Sequence, residues 1–343
     1  MATQAQTQQP DPAAIFDALN AYQRSAALKA AIELDLFTGI GEGNTDVESL
    51  AKRCDAAARG IRILCDYLTI QDFLVKQDHR YSLTPTSGAF LDRRSPRYLG
   101  TIARFLNLPA LVERFQDLAT VVRAGGALMS EDGSSGEANA DWVEFARSMA
   151  PMQAFPAERI AGLLAADSGQ PWKVLDIAAG HGLFGIAIAR HNPNAEVAAV
   201  DWPQVLEVAR ENAEKAGVAG RHHLIQGSAF EVDFGTGYDL VLLTNFLHHF
   251  DPQTNGKLLR KVHHALKPGG RVVALEFVPN EDRVSPATAA AFSLIMLGNT
   301  RAGDAYTFAE LEGMFGNAGF ARSELHALPP TPQSVVISYK QDA

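Results

Sequence analysis

The sequence predicts an α/β chain: a largely parallel sheet with crossover helices in the C-terminal half, behind a mostly helical N-terminal part that carries one small hairpin. Three observations predict it. From Lys173 onward, short apolar runs bounded by turns recur: Val174-Leu175, Val197 to Val200, His223 to Ile225, Leu240 to Leu243 and Val272 to Leu275. Helical segments separate most of them, the mark of strands buried on both faces by crossover helices. The first run leads into a loop holding Gly180, Gly182 and Gly185, and before Lys173 the apolar periodicity is almost entirely helical.

The N-terminal elements follow in order. Met1 to Gln9 is polar and lacks the apolar stretch of a signal peptide, so residues 1–10 are expected to form a disordered tail. Asp11-Pro12 reads as a helix start, and Ile15, Leu19, Tyr22 and Ala26 then recur at helical spacing in a long alanine-rich segment that ends near Gly39. Its apolar content exceeds what one buried face of an isolated helix needs, which points to burial against a second subunit. Val47 to Arg53 and Ala57 to Ile70 read as helices, followed by Phe73-Leu74-Val75 and Tyr81-Ser82-Leu83 as a small hairpin. Two helices and a hairpin outline a winged helix over residues 11–95.

Residues 96–170 read as helices interrupted by polar, turn-rich stretches at Gly125-Gly126 and Glu131 to Gly136. Trp142, Phe145, Met149 and Met152 form an apolar stripe on the helix that follows. Residues 171–343 hold the sheet. Its third and fourth strands are joined by a loop, Gly227 to Gly237, and Ser323 to Ala327 with Ser334 to Ser338 suggest a closing hairpin.

Composition limits what such a chain can do. Its 343 residues fit about two domains, and the formal charge of −9 argues against a dedicated nucleic-acid binder. The winged-helix segment from Gly41 to Gly100 has nine Lys or Arg against eight Asp or Glu and no basic stripe, which speaks against DNA. No run of 18 apolar residues offers a membrane span. Cys54 and Cys65 lie in helical patterns and read as buried thiols of a cytoplasmic protein, although two cysteines could in number form a disulfide.

The glycine loop carries the chemistry. Val174-Leu175-Asp176-Ile177-Ala178-Ala179-Gly180-His181-Gly182-Leu183-Phe184-Gly185 runs from strand to helix, and the second strand ends at Asp201. Small residues let the backbone turn sharply against a ligand, and a carboxylate at Asp201 can accept from both hydroxyls of a ribose. The spacing also fits a nicotinamide dinucleotide fingerprint. Two details favour S-adenosylmethionine: Asp176 suits a methionine ammonium better than a diphosphate, and Leu266 to Val273 supplies a tight turn into a fifth strand.

Taken together these residues resemble the class I methyltransferases, with their Rossmann-like sheet. From about Pro12 to Tyr339 the chain is similar to the small-molecule O-methyltransferases of the caffeate and acetylserotonin type. That resemblance implies an N-terminal winged-helix dimerisation domain, a homodimer, S-adenosylmethionine as cofactor and a small-molecule acceptor, with neither nucleic acid nor membrane as partner. It implies cofactor contacts from Asp176, Ala178, Gly180, Gly182, Asp201, Trp202, Ser228, Ala229, Phe230, Thr244 and Asn245. Ser228 stands where the family has an aspartate that holds the adenine amino group. His248 takes the place of the family's catalytic base, His249 that of an aspartate and Phe250 that of a tryptophan. Glu276 matches a glutamate that orients the base, whereas a second orienting glutamate is replaced by Ala305. The family's acceptor pocket maps onto Phe145, Met149, Phe292, Ile295, Met296 and Asn299. Asp251-Pro252 reads as a helix cap.

Other readings stay open on the sequence. Methyl transfer to carbon or nitrogen, a cofactor-assisted rearrangement, a nicotinamide dehydrogenase and a ligand-sensing DNA regulator all share parts of this pattern. His249 with Glu276 also raises a metal site, but neighbours at i and i+1 seldom converge on one ion, and no further ligand spacing supports it.

Overall fold

A computed structural model describes residues 11–128 and 141–342. The expected tail and the Glu131 to Gly136 stretch lie outside the described residues. The chain divides into two compact units, residues 1–103 and 104–343.

In the first unit the long helix expected to run to Gly39 is broken into Ala13–Leu19, Ala21–Glu33 and Leu36–Gly41. The second break has a physical cause that periodicity does not carry. Asp35 adopts the left-handed conformation at φ 55°, and its carboxylate accepts ion pairs from Arg53 at 3.1 Å and Arg93 at 2.9 Å. Helices Val47–Arg53 and Ala58–Ile70 follow as expected, the first capped by Asp46, which accepts from the Ser49 amide at 2.9 Å. Strands β1 (Leu74–Gln77) and β2 (Arg80–Leu83) pair antiparallel. Asp78 and His79 between them both have positive φ, as the tight hairpin turn whose twist matches the strands requires. Leu36, Phe37, Leu50, Ile61, Leu68 and Tyr81 form the core of this unit. On the first helix and just after it, Ile15, Phe16, Leu19 and Tyr22 are all more than 60% exposed.

The second unit is built on seven strands: β3 (Lys173–Ile177), β4 (Glu196–Asp201), β5 (His222–Gln226), β6 (Tyr238–Thr244), β7 (Leu266–Glu276), β8 (Arg322–Ala327) and β9 (Ser334–Tyr339). They lie in the order β5-β4-β3-β6-β7-β9-β8, with β3 to β7 parallel and the closing hairpin antiparallel. Alternate residues of the central strands bury on opposite faces. Leu175, Ile177, Val241 and Leu243 pack with Leu258, Val262, Leu311 and Phe315. Val174, Leu240, Leu242 and Val273 pack with Ile160, Phe184 and Ile188 on the other side. Burying each such side chain contributes about 1.5–3 kcal/mol, so both faces must be covered. That is why these strands read as unbroken apolar runs.

One detail differs from expectation. The turn expected from Leu266 to Val273 is folded into β7 as a register jump, with Tyr238 opposite Leu266 and Leu240 opposite Arg271. The Gly227 to Gly237 connection is a loop, as expected, and Asp251 caps the helix Pro252–Ala265 by accepting from the Gln253 and Thr254 amides. Chain order reverses between β3 and β6. In an open parallel sheet the crevice beyond the strand ends at such a point is where ligands bind.

Candidate active site

The loop after β3 is shaped by contacts underneath it. Gly182, at φ 74°, opens the helix Leu183–His191, and a Cβ there would lie 2.9 Å from Ala209 Cβ. At Gly185 a Cβ would come within 2.7 Å of Val197 and 2.9 Å of Asp176. The helix can therefore sit directly on β3 and β4. Asp176 Oδ2 accepts from the Gly185 amide at 3.0 Å, and Oδ1 is buried without a hydrogen-bond partner. Burial pushes this carboxyl up to about 7, against the pull of the Gly185 hydrogen bond. It lies beneath the loop and lines neither cavity described below, and its hydrogen bond holds the loop to the strand.

Asp201, at the end of β4, is turned toward the same loop. Its Oδ2 accepts from the Gly180 amide at 2.8 Å and its Oδ1 from the Trp202 amide at 2.7 Å. Burial raises it to about 6, opposed by those two hydrogen bonds. Because the folded-state value lies above the ordinary 3.8, ionising Asp201 costs the free protein stability as pH rises across that window.

Two adjoining cavities open over these strand ends. The larger takes in about 680 Å³ of space, part of it open to solvent. Its wall includes Trp142, Phe145, Gln153, Thr244, Asn245 and His249. The smaller, about 340 Å³, is walled by Gly227, Ser228, Ala229 and Phe230. Ala178, Asp201, Trp202 and Phe246 belong to both. Apart from Asp176 and Gly182, which line neither cavity, the residues expected around a cofactor are thus brought together, with Gly180 in the larger wall and Gly182 in the turn that opens the helix. Ser228 Oγ accepts from the Phe230 amide at 3.2 Å.

Glu276, ending β7, is the most deeply committed polar group near the site. Its Oε1 accepts from the amides of Phe246 at 3.1 Å and Leu247 at 2.9 Å, and its Oε2 lies 2.5 Å from His248 Nδ1. Both residues are buried, at 3% and 5% exposure. Both oxygens of Glu276 are therefore engaged by this one turn, and neither is shared with His249. His248 also meets Phe292 edge-on at 4.9 Å, and Phe292 stacks on Phe277 at 3.9 Å. At the position of the second family glutamate, Ala305 is buried and offers no carboxylate.

The acceptor-side expectations divide. Phe145 lines the larger cavity and Phe292 stands beside His248. Met149, Ile295, Met296 and Asn299 line neither cavity. Met149 and Met296 are buried, Ile295 is 43% exposed, and Asn299 is engaged with Arg114 and the Ile295 carbonyl. Sequence reasoning placed Trp142 on an apolar stripe without a site role and gave none to Gln153 or His181, all three in the cavity wall. The signal for Gln153 was present: it lies four residues after Met149 and eight after Phe145, a polar group on an apolar stripe. Its Oε1 is buried without a hydrogen-bond partner.

Comparison with known proteins decides the family. Residues 138–321 match the model of the O-methyltransferase domain, and residues 16–93 that of the O-methyltransferase dimerisation domain. The chain belongs to the O-methyltransferase family. A solved structure of a candidate O-methyltransferase from Nostoc punctiforme PCC 73102 is 53% identical, with a TM-score of 0.92, covering 97% of this chain and 100% of that one. The 3-hydroxy-5-methyl-1-naphthoate 3-O-methyltransferase of Streptomyces sahachiroi is 28% identical over 90% of this chain and 89% of its own. Acetylserotonin O-methyltransferase of Mus musculus molossinus is 27% identical over 93% and 86%.

This O-methyltransferase uses S-adenosylmethionine, and a structure named as PigF with SAH has the same fold at a TM-score of 0.83. The residues present fit that group. The glycine loop, Asp201 and Gln153, whose Oε1 is buried without a partner, line two adjoining cavities that share Ala178, Asp201, Trp202 and Phe246. The nicotinamide reading is thereby replaced. Among the described residues no helix is long and apolar enough to cross a membrane.

Replacing Glu276 by alanine strands His248 and two backbone amides. The Glu276→Ala variant is expected to lose about 3–5 kcal/mol of stability, read from urea unfolding. A loss under 1 kcal/mol would mean the pair is not the anchor of the turn.

Proposed function

We propose that this O-methyltransferase methylates a hydroxyl of a small aromatic metabolite, with His248 as general base. The observation that carries the reading is the buried His248–Glu276 pair beside an aromatic wall. When bound, S-adenosylmethionine supplies an electrophilic methyl group. A phenol, with a pKa of about 10, is mostly un-ionised at neutral pH and needs to shed its proton as it attacks. Glu276 accepts at Nδ1 and so fixes the proton there, leaving Nε2 of His248 with a lone pair to take it. The carboxylate then steadies the imidazolium that results. Trp142, Phe145 and Phe292 suit a flat ring and exclude water from it. The naphthoate acceptor named for the Streptomyces sahachiroi relative supports an aromatic substrate.

In the same reading Asp201 holds the ribose hydroxyls, Ser228 to Phe230 surround the adenine, and Gln153 meets the methionine end. The first unit assembles two chains into a homodimer through its exposed Ile15, Phe16, Leu19 and Tyr22.

The deciding experiment is an acceptor screen read by product mass and regiochemistry. His248→Ala is expected to lower kcat by roughly 10²–10⁴ while S-adenosylhomocysteine binding stays intact. Near-full activity in that variant, or methyl found on carbon, would replace the base-assisted reading with transfer to carbon or nitrogen.

Asp201 gives a second test. Ribose hydroxyls bind the ionised carboxylate, so below the pH of about 6 at which Asp201 titrates binding must expel a proton. S-adenosylhomocysteine affinity should fall toward roughly tenfold per pH unit there. Calorimetry on Asp201→Asn should give weak binding with that pH dependence removed; an unchanged profile would remove Asp201 from the ribose.

A further inference from the structure

His249 has no part in the chemistry just described, yet it lines the larger cavity, as His181 does. Its Nδ1 is buried and has no hydrogen-bond partner among the described residues. A buried polar atom left in that state is costly, and a ligand atom is the partner that would relieve it. The ring is held in place. Trp142 meets it edge-on at 5.5 Å, and the His248 ring lies 4.5 Å away, tilted by 43°. Burial and the neighbouring His248 hold its pKa well below the usual range, so it presents a neutral imidazole. The two adjacent histidines therefore differ in kind. His248 is tied to a carboxylate, and His249 brings an uncharged ring to the cavity wall.

We propose that His249 reads a second, uncharged oxygen of the acceptor, on a position next to the oxygen that His248 deprotonates. This rests on the reading of aromatic O-methylation. Two rings 4.5 Å apart can serve two oxygens of one flat ligand only when those oxygens are close neighbours, vicinal or across a peri edge. A neutral imidazole can meet either a hydroxyl or a carbonyl, because its tautomer determines whether a ring nitrogen donates or accepts. A carboxylate at this place would accept only from a hydroxyl and would repel the phenolate forming beside it. His249 is thus a specificity-determining residue that admits ortho-hydroxy carbonyl compounds as well as ortho-diols.

The test uses the full-length protein with S-adenosylmethionine and matched acceptors: catechol against phenol, 2,3-dihydroxynaphthalene against 2-naphthol, and 2-hydroxyacetophenone against phenol. Product is identified by mass spectrometry, and kcat and KM are measured for the wild type and His249→Leu. The wild type should favour the two-oxygen member by at least about tenfold in kcat/KM, since a site built around a hydrogen bond rejects analogues that lack the group. In His249→Leu that ratio should fall to within about threefold, chiefly through KM of the two-oxygen member, with S-adenosylhomocysteine affinity unchanged. If His249→Leu does not bind S-adenosylhomocysteine, His249→Phe is used, which keeps a ring but has no hydrogen-bonding nitrogen, and the same fall in ratio is expected. Oxygen methylation without a wild-type preference, or a preference that survives the substitution, overturns the role of His249 alone. Methylation of none of these acceptors, or only of carbon, overturns the aromatic O-methylation reading and this inference with it.

Discussion

The site depends on one buried carboxylate at the end of a strand. Glu276 closes β7, and both its oxygens are spent on the segment that follows β6: two amides of the turn and the imidazole of His248. A single side chain thereby ties the ends of adjacent strands together and fixes a ring. Isolated, that carboxylate would be very costly to bury; with three partners it becomes a constraint on everything around it. Phe292 and Phe277 pack against the result and leave the histidine little rotational freedom.

Across the crevice the same economy recurs with opposite effect. Asp176 and Asp201 are both pushed above the usual carboxylate range by burial, each moderated by backbone amides of the glycine loop. Asp176 spends itself on the Gly185 amide and keeps the loop seated on the sheet. Asp201 stands on the shared wall of the two cavities, where a ligand can reach it. One carboxylate therefore shapes the cradle and the other stands in its wall, although in sequence both read as ligand contacts.

Much of this was legible beforehand for definite physical reasons. Apolar runs reveal strands buried on two faces, so β3 to β7 were readable, and small residues after the first of them announced the loop. Asp201 stood out because a charged residue ending an apolar strand has few structural reasons to be there, whereas Glu276 was reached through the family resemblance. The break at Asp35 was hidden, since its left-handed backbone is held by Arg53 and Arg93. The burial of Asp176, the exposure of Ile295 and the engagement of Asn299 follow from how strands and helices are rotated in the packed unit, which spacing does not convey. Gln153 was masked by its neighbours. A lone polar residue on an apolar stripe looks incidental until a cavity wall includes it.

The central claim, that Glu276 sets the proton of His248 on Nδ1 and leaves Nε2 free to accept, can be observed directly. Uniformly ¹⁵N-histidine-labelled protein would be studied at neutral pH by long-range ¹H–¹⁵N correlation, with His248 assigned by its loss in His248→Asn. The account predicts a protonated Nδ1 and a bare Nε2, with that tautomer no longer dominant in Glu276→Gln. A proton residing on Nε2 in the wild type, or a tautomer indifferent to Glu276, would contradict it.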